Sequence, residues 1–297
     1  MQNINEIRHH ISAVAETRKI TSAMQIVASS RMKKVLGHIA YNQLYSERLK
    51  RAIREILLSS PAPQSLPYLM ARGGERRTYI VIAGDKGMAG SYNANLLHYA
   101  YAETKGHPNY HLITCGLKAS AFFHRNGIQP DIEIMGVSQD PSLANARTLA
   151  SDVIDIYDKM LTDEVYIIYT MFSGPSRHLP VMNRLLPLLP KDYDEIPARI
   201  PEADIIYVPS PEEAFHMLIP QFLTAEIFSA LAQAYSSEHF ARMNAMQSAT
   251  RNADELMKKL TMQYNMARQA AITREITEIS GAVEALRNGD EAYATGN

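Results

Sequence analysis

The sequence predicts an antiparallel coiled coil formed by its N- and C-terminal helices, with an α/β domain inserted between them. Three observations carry this. Met243, Met246, Thr250, Ala253, Met257, Leu260, Tyr264, Ala267 and Ala271 alternate three- and four-residue steps without a slip. Ile4, Ile7, Ile11 and Val14 repeat that spacing at the other end of the chain. Between the two ends, short apolar runs alternate with stretches of helical character. A stripe one residue wide every half-heptad specifies a long helix that needs another helix beside it. A globular core would want a broader apolar face.

The first helix is expected from about residue 3 to 58, with no Gly before Gly37 and no Pro before Pro61. At ~1.5 Å per residue it would run roughly 80 Å. Ile20, Met24, Val27, Val35 and Leu36 continue its apolar face in a shifted register. Pro61, Pro63, Pro67 and Gly73-Gly74 end it and open a linker. Tyr79 to Ala83 reads as a buried strand, Asn93 to Glu103 as a helix, and Tyr110 to Cys115 as a second strand. Leu117 to Arg125 reads as a helix and Asp131 to Met135 as a third strand. Ser142 to Leu161 follows as a helix and Val165 to Phe172 as a fourth strand. Strands alternating with helices predict a mostly parallel sheet covered on both faces, that is, an inserted Rossmann-like domain. A Pro-rich return follows, with Ile205 to Val208 as a further edge strand. The last helix is expected from about 212 to 287, where Ile272, Ile276, Ile279, Val283 and Leu286 carry the stripe onward. The domain boundaries are thus residues 1–60, 61–210 and 211–297.

Composition bounds the function. The chain has 297 residues, 46% of them hydrophobic and 21% charged, with net charge −1, no Trp and one Cys. That suits one or two soluble domains. The apolar runs fall short of a membrane span, and no signal-peptide pattern opens the chain. Lone Cys115 follows Leu112-Ile113-Thr114 and reads as an inert buried thiol in a reducing compartment. The first sixty residues are basic, with Arg8, Arg18, Lys19, Arg31, Lys33, Lys34, Arg48, Lys50, Arg51 and Arg54 outnumbering Glu6, Glu16, Glu47 and Glu55. Such a helix suits nucleic acid, lipid headgroups, an acidic protein surface or plain solvent.

Catalytic signatures are thin. The loop Gly84 to Ser91 follows the first strand, where an α/β sheet would cradle a phosphate. Its glycines fall at 84, 87 and 90, which satisfies neither the dinucleotide fingerprint nor the P-loop. A structural turn fits better, with Asn93 or Ser91 capping the next helix. No H-E-x-x-H or C-x-x-C occurs, and Ser173 to Ser176 lacks a nucleophile elbow. His9 and His10 lie in a polar helix stretch, and His239 is expected on the outside of the seam. No cofactor, metal or catalytic residue is expected, and the chain reads as an interaction or mechanical protein. A coiled-coil adapter or nucleic-acid-binding arm is the alternative from a different class; a nucleotide-dependent enzyme centred on Gly84 is a third.

Both ends resemble the gamma subunits of F-type ATP synthases. The N-terminal match runs through Thr17-Arg18-Lys19-Ile20-Thr21-Ser22-Ala23-Met24-Gln25-Ile26-Val27-Ala28. The C-terminal match includes Ser237-Glu238-His239, Ala241-Arg242-Met243 and Ala267-Arg268-Gln269-Ala270-Ala271-Ile272-Thr273-Arg274-Glu275-Ile276-Thr277-Glu278-Ile279. The loop from Gly84 to Asn93 is similar to that family's central turn. The resemblance implies a non-catalytic rotor in the central stalk. Its partners would be three alpha and three beta subunits, an epsilon subunit and a membrane c-ring, on the cytoplasmic face of a bacterial plasma membrane. It implies no nucleic acid and no membrane span. Met24, Arg242, Arg268, Gln269, Thr273, Glu275, Thr277 and Glu278 would contact the beta subunits. Two departures stand out: Ala282-Val283 replaces a usual Gly-Ala pair, and residues 287–297 extend past the usual end as a polar tail.

Overall fold

The computed structural model describes residues 4–59, 68–172, 174, 178–197, 207–208 and 210–294, with side chains through residue 283. Helix α1 spans Ile4–Ser59 and helix α5 spans Pro211–Ala294. The chain packs as two compact units, residues 1–25 with 246–297, and residues 26–245.

In the first unit the start of α1 lies antiparallel to the distal part of α5. Arg18 Nε donates to Asp254 Oδ1 at 2.6 Å, and the Thr21 and Thr250 hydroxyls meet at 2.8 Å. Ile7, Thr21, Met246, Ala253 and Leu260 are buried, while Thr250, Met257, Tyr264, Ala267 and Ala271 are half-buried. Every position of the expected α5 seam within this unit therefore turns inward. The two polar pairs fix the register, and continuing it puts Ile4 across from the turn at Ala267–Arg268. Beyond that turn, no described residue of α1 is left to cover α5. Ile272, Ile276, Ile279 and Val283 are accordingly 42–65% exposed, so this stripe does not extend the intramolecular seam.

The face expected to continue α1 is corrected in part: Val35 is buried and Met24 and Leu36 are half-buried, as expected. Ile20 and Val27 are exposed, and the buried positions are Thr21, Ala28, Val35, Ile39, Asn42, Ser46, Leu49, Ile53 and Ile56. The 3–4 spacing persists, but small and polar residues occupy part of it. Hydrogen bonds explain why they are tolerated there: Asn42 Nδ2 donates to the Ala225 carbonyl at 2.9 Å, and the Ser46 hydroxyl donates to Glu226.

The second unit is built on a five-stranded sheet. Its strands are β1 Arg77–Ile82, β2 Tyr110–Cys115, β3 Ile132–Ile134, β4 Glu164–Phe172 and β5 His178–Leu186. The order is β3-β2-β1-β4-β5, with β5 alone antiparallel. Helices α2 (Tyr92–Lys105) and α3 (Leu117–Arg125) cover one face over Tyr79, Val81, Leu112 and Ile168. Helix α4 (Leu143–Asp158) and the neighbouring parts of α1 and α5 cover the other over Ile80, Ile82, Ile113 and Ile167. The Ser142 side chain caps α4 by accepting from Asn145 N.

Strand β5 falls in the segment expected to be an irregular Pro-rich return. Pro180 is compatible with a strand here because β5 is the sheet edge, where one missing donor costs little. The strand expected at 205–208 is not found at Tyr207 and Val208, and its first half lies outside the described residues. One 18-residue window of α5 reaches a mean hydropathy of 1.3, so by composition alone it could cross a membrane, contrary to expectation. More than half of that window is buried, as Phe215, Ile219, Phe222, Leu223, Ile227 and Leu231 join the core over the sheet.

Candidate functional site

The chain turns one way from β1 to β2 and returns on the other side of β1 to make β4. In a doubly wound sheet the crevice outside the carboxyl ends of such strands is where ligands bind. Here the chain's own helix fills it. Ser237 Oγ donates to the Thr170 carbonyl at 3.1 Å, and Tyr92 OH donates to the Ala234 carbonyl at 3.1 Å. A Cβ on Gly84 would stand 2.8 Å from Glu238 Cδ, so glycine is required for the carboxylate to lie there. Arg242 donates to Glu238 and, through Nη2 at 3.1 Å and Nε at 3.3 Å, to the Gly87 carbonyl.

The loop leaving β1 is tied down from its other side as well. Asp85 accepts from Leu117 N at 2.8 Å, Ser138 Oγ at 2.7 Å and Gln139 Nε2 at 3.1 Å. Burial opposes the charge, but these donors outweigh it and hold Asp85 below the usual carboxylate range. Asn93 Oδ1 accepts from Gly84 N at 2.9 Å, which corrects its expected capping role. Ser91 sits at the N-cap position of α2 without a side-chain cap bond. Gly116 has φ +103°, and a Cβ there would lie 2.1 Å from the Ala83 carbonyl oxygen, so only glycine lets the β1 and β2 exits close together. Met88 stands out at the tip, with φ +61° and 60% exposure.

Around this node the titratable groups are displaced. Burial pushes the Glu238 carboxyl up, with Arg242 opposing. His239 is buried against the Tyr235 ring, at 4.3 Å between centroids, rather than lying outside the seam. Burial first, then Arg242, Arg31 and Lys86, lower its pKa to about 4. Cys115 is fully buried, and burial with Asp85 nearby pushes its thiol up to about 12. A thiol in that state is a poor nucleophile. Among the described residues no cluster of His, Cys, Asp or Glu has the make-up of a metal site.

The eight expected contact residues do not form one patch. Arg268, Gln269, Thr273, Glu275, Thr277 and Glu278 lie exposed on distal α5, and Met24 is half-buried on α1. Thr273 and Thr277 donate to the carbonyls four residues back, at 2.9 and 2.8 Å, which leaves their oxygens able to accept. Arg242 is 93% buried and belongs to the crevice. Glu238 entered the sequence reading only within the motif Ser237-Glu238-His239, with no role of its own. Its i,i+4 spacing with Arg242 is that of a surface pair, and the signal that could have found it is the mostly small and apolar stretch from Ala225 to Ala241.

A doubly wound domain whose ligand crevice is filled by its own helix, in a chain with long helices at both ends, fits an interaction or mechanical class of protein rather than a nucleotide-binding one. The chain belongs to the ATP synthase gamma-chain family. The ATP synthase family model matches residues 3–286. The ATP synthase gamma chain of Moorella thermoacetica is 34% identical over 97% of this chain and 100% of its own length. That of Heliobacterium modesticaldum is 33% identical over 96% and 100%. Among solved structures, a chain of the Euglena gracilis mitochondrial ATP synthase (OSCP, F1 and c-ring) aligns with TM-score 0.65 and 18% identity, covering 97% of this chain and 95% of that one. A chain of the Tetrahymena thermophila mitochondrial central stalk and c-ring aligns with TM-score 0.61 and 22% identity, covering 77% and 99%. These two support the fold.

Proposed function

We propose that the chain turns as the central-stalk rotor of an F-type ATP synthase on the cytoplasmic face of a bacterial plasma membrane. It couples ion translocation through the membrane sector to ATP synthesis in a ring of alpha and beta subunits. The chain is not itself the enzyme: nucleotide chemistry belongs to the ring, and the shaft's asymmetry selects which site is open. A stiff element biasing a multi-state ring is enough for such coupling. The driving force is worth ~2.3 kcal/mol per charge per 100 mV. An epsilon subunit and the membrane c-ring would engage the stalk, with residues 1–60 and 211–297 as shaft and 61–210 as the inserted domain. The adapter and nucleic-acid readings are not favoured, since the family match runs nearly end to end.

The observation that supports the residue assignments is the uncovered length of α5 beyond Ala267. Ile272, Ile276, Ile279 and Val283 are left bare there, beside the polar Arg268, Gln269, Thr273, Glu275, Thr277 and Glu278. An uncovered apolar stripe of this size marks an interaction surface. We assign it to the surrounding ring, with the polar residues and Met24 meeting beta subunits at particular rotary positions. Each such contact must break every turn, so about 1–3 kcal/mol each is the useful range. Replacing Gln269 and Thr273 together by Leu should lower synthesis and hydrolysis in the assembled complex, while the isolated chain keeps its unfolding midpoint. Wild-type rates in an intact complex would refute the assignment of this face.

A further inference from the structure

Most of the contact between α5 and the sheet is apolar, through residues such as Phe215, Phe222, Leu223, Ile227 and Leu231. Apolar contact of this kind interlocks the helix with the sheet by shape and supplies no directional bond between them. The crevice at the carboxyl ends of β1 and β4 is different. Glu238 and Arg242 are only 6% and 7% exposed, and both point from α5 into the exit of β1. The guanidinium bridges Glu238 and the Gly87 carbonyl, while Ser237 holds the end of β4 through the Thr170 carbonyl. Glu238, on the same helix, orients the guanidinium, and its Nε and Nη2 cross to the loop at the Gly87 carbonyl; small rotations misalign such charge-assisted bonds.

We infer that Glu238 and Arg242 are positioning residues for rotary coupling, locking the β1 exit loop and the sheet to α5 so that domain and helix turn as one body. This rests on the rotor reading above. The Gly84 loop thereby has a purpose that its failed phosphate-binding spacing left open: a side-chain carboxylate of the same chain packs against Gly84. A merely structural ion pair can be exchanged for an apolar pair of similar size at little cost in stability. A torque joint exchanged in this way keeps its stability but loses coupling, because the apolar pair lacks direction.

The test is therefore the double variant Glu238→Met/Arg242→Met, read two ways. Unfolding of the isolated full chain should keep a wild-type midpoint. In vesicles carrying the assembled complex, proton pumping per ATP hydrolysed should fall at least threefold while hydrolysis persists. An unchanged pumping ratio would overturn the inference. Should the double variant not assemble, Arg242→Lys keeps the charge and removes the fork. Met88→Cys then supplies the reporter, because the native Cys115 is buried and unreactive. A nitroxide there, on the isolated full chain, should gain a mobile component when Arg242→Lys is added, and an unchanged spectrum would also overturn the inference. Failure of the wild-type chain to enter any ATP synthase would instead strike the rotor reading, leaving the nitroxide result to judge the joint.

Discussion

The seam between α1 and distal α5 and the interior of the α/β domain bury side chains by different rules. The domain encloses Tyr79, Phe123, Tyr157 and Phe215 almost completely, within two continuous clusters on either face of the sheet. The seam buries one residue every three or four, and several of those are Thr or Ala. The domain is thus stabilised by volume, and the seam by repetition and by hydrogen bonds that set its register. Large losses from single changes belong to the first region, and small losses spread along the helix to the second.

The largest effect should come from the domain. Phe123→Ala removes a fully buried ring and should cost about 3–5 kcal/mol in chemical denaturation. A loss under 1 kcal/mol would mean the two regions do not differ as described.

Acid should act next, and on the crevice. The folded state holds His239 near 4, against an ordinary value of 6.5. The unfolded chain therefore binds the extra proton between those values, and stability is lost as pH falls from about 6.5 toward 4. One pKa unit is worth ~1.4 kcal/mol, so the loss from this group is bounded near 3 kcal/mol. Glu238 opposes it, since a raised carboxyl favours the folded state on acidification. His239→Gln should flatten the pH dependence of unfolding between pH 4 and 6.5; an unaltered slope would remove His239 from the account.

The seam should respond more mildly. Leu260→Ala should cost about 2 kcal/mol, the low end for a buried leucine, because neighbouring helices can close on a narrow groove. Amide exchange should quicken around Ile11 and Leu260 without altering protection in β1 and β4. Thr21→Val with Thr250→Val exchanges an interhelical hydroxyl contact for apolar packing, and the sum should stay within about 1 kcal/mol of wild type. Smallest of all, Arg18→Ala breaks a pair whose side chains are about two-fifths exposed, so under 1 kcal/mol is expected, shrinking further in salt.

What was legible in the sequence follows the same division. The α5 seam could be read residue by residue because apolar side chains mark most of it. Along α1 the reading drifted onto Ile20 and Val27, since hydropathy cannot tell that Thr21, Asn42 and Ser46 are buried with partners on α5. Strands β1, β2 and β4 announced themselves as apolar runs and β3 as a short alternating one, whereas β5 did not. Its half-exposed sequence His-Leu-Pro-Val-Met-Asn-Arg carries Pro180, Asn183 and Arg184, the pattern of an edge. The crevice was least legible. Glycine spacing argued against a phosphate, but nothing in the linear sequence brought Glu238 and Arg242 to a loop about 150 residues away. The resemblance supplied Arg242 as a beta-subunit contact, and in the isolated chain its side chain lies buried in the crevice.

The central claim is that this chain rotates within its complex. With the catalytic head fixed to a surface, a bead can be attached through Met135→Cys, an exposed position, since the native thiol is buried. On adding ATP the account predicts sustained rotation of the bead in one direction, stopping when ATP is exhausted. Hydrolysis at full rate with a bead that only fluctuates about one angle would contradict it.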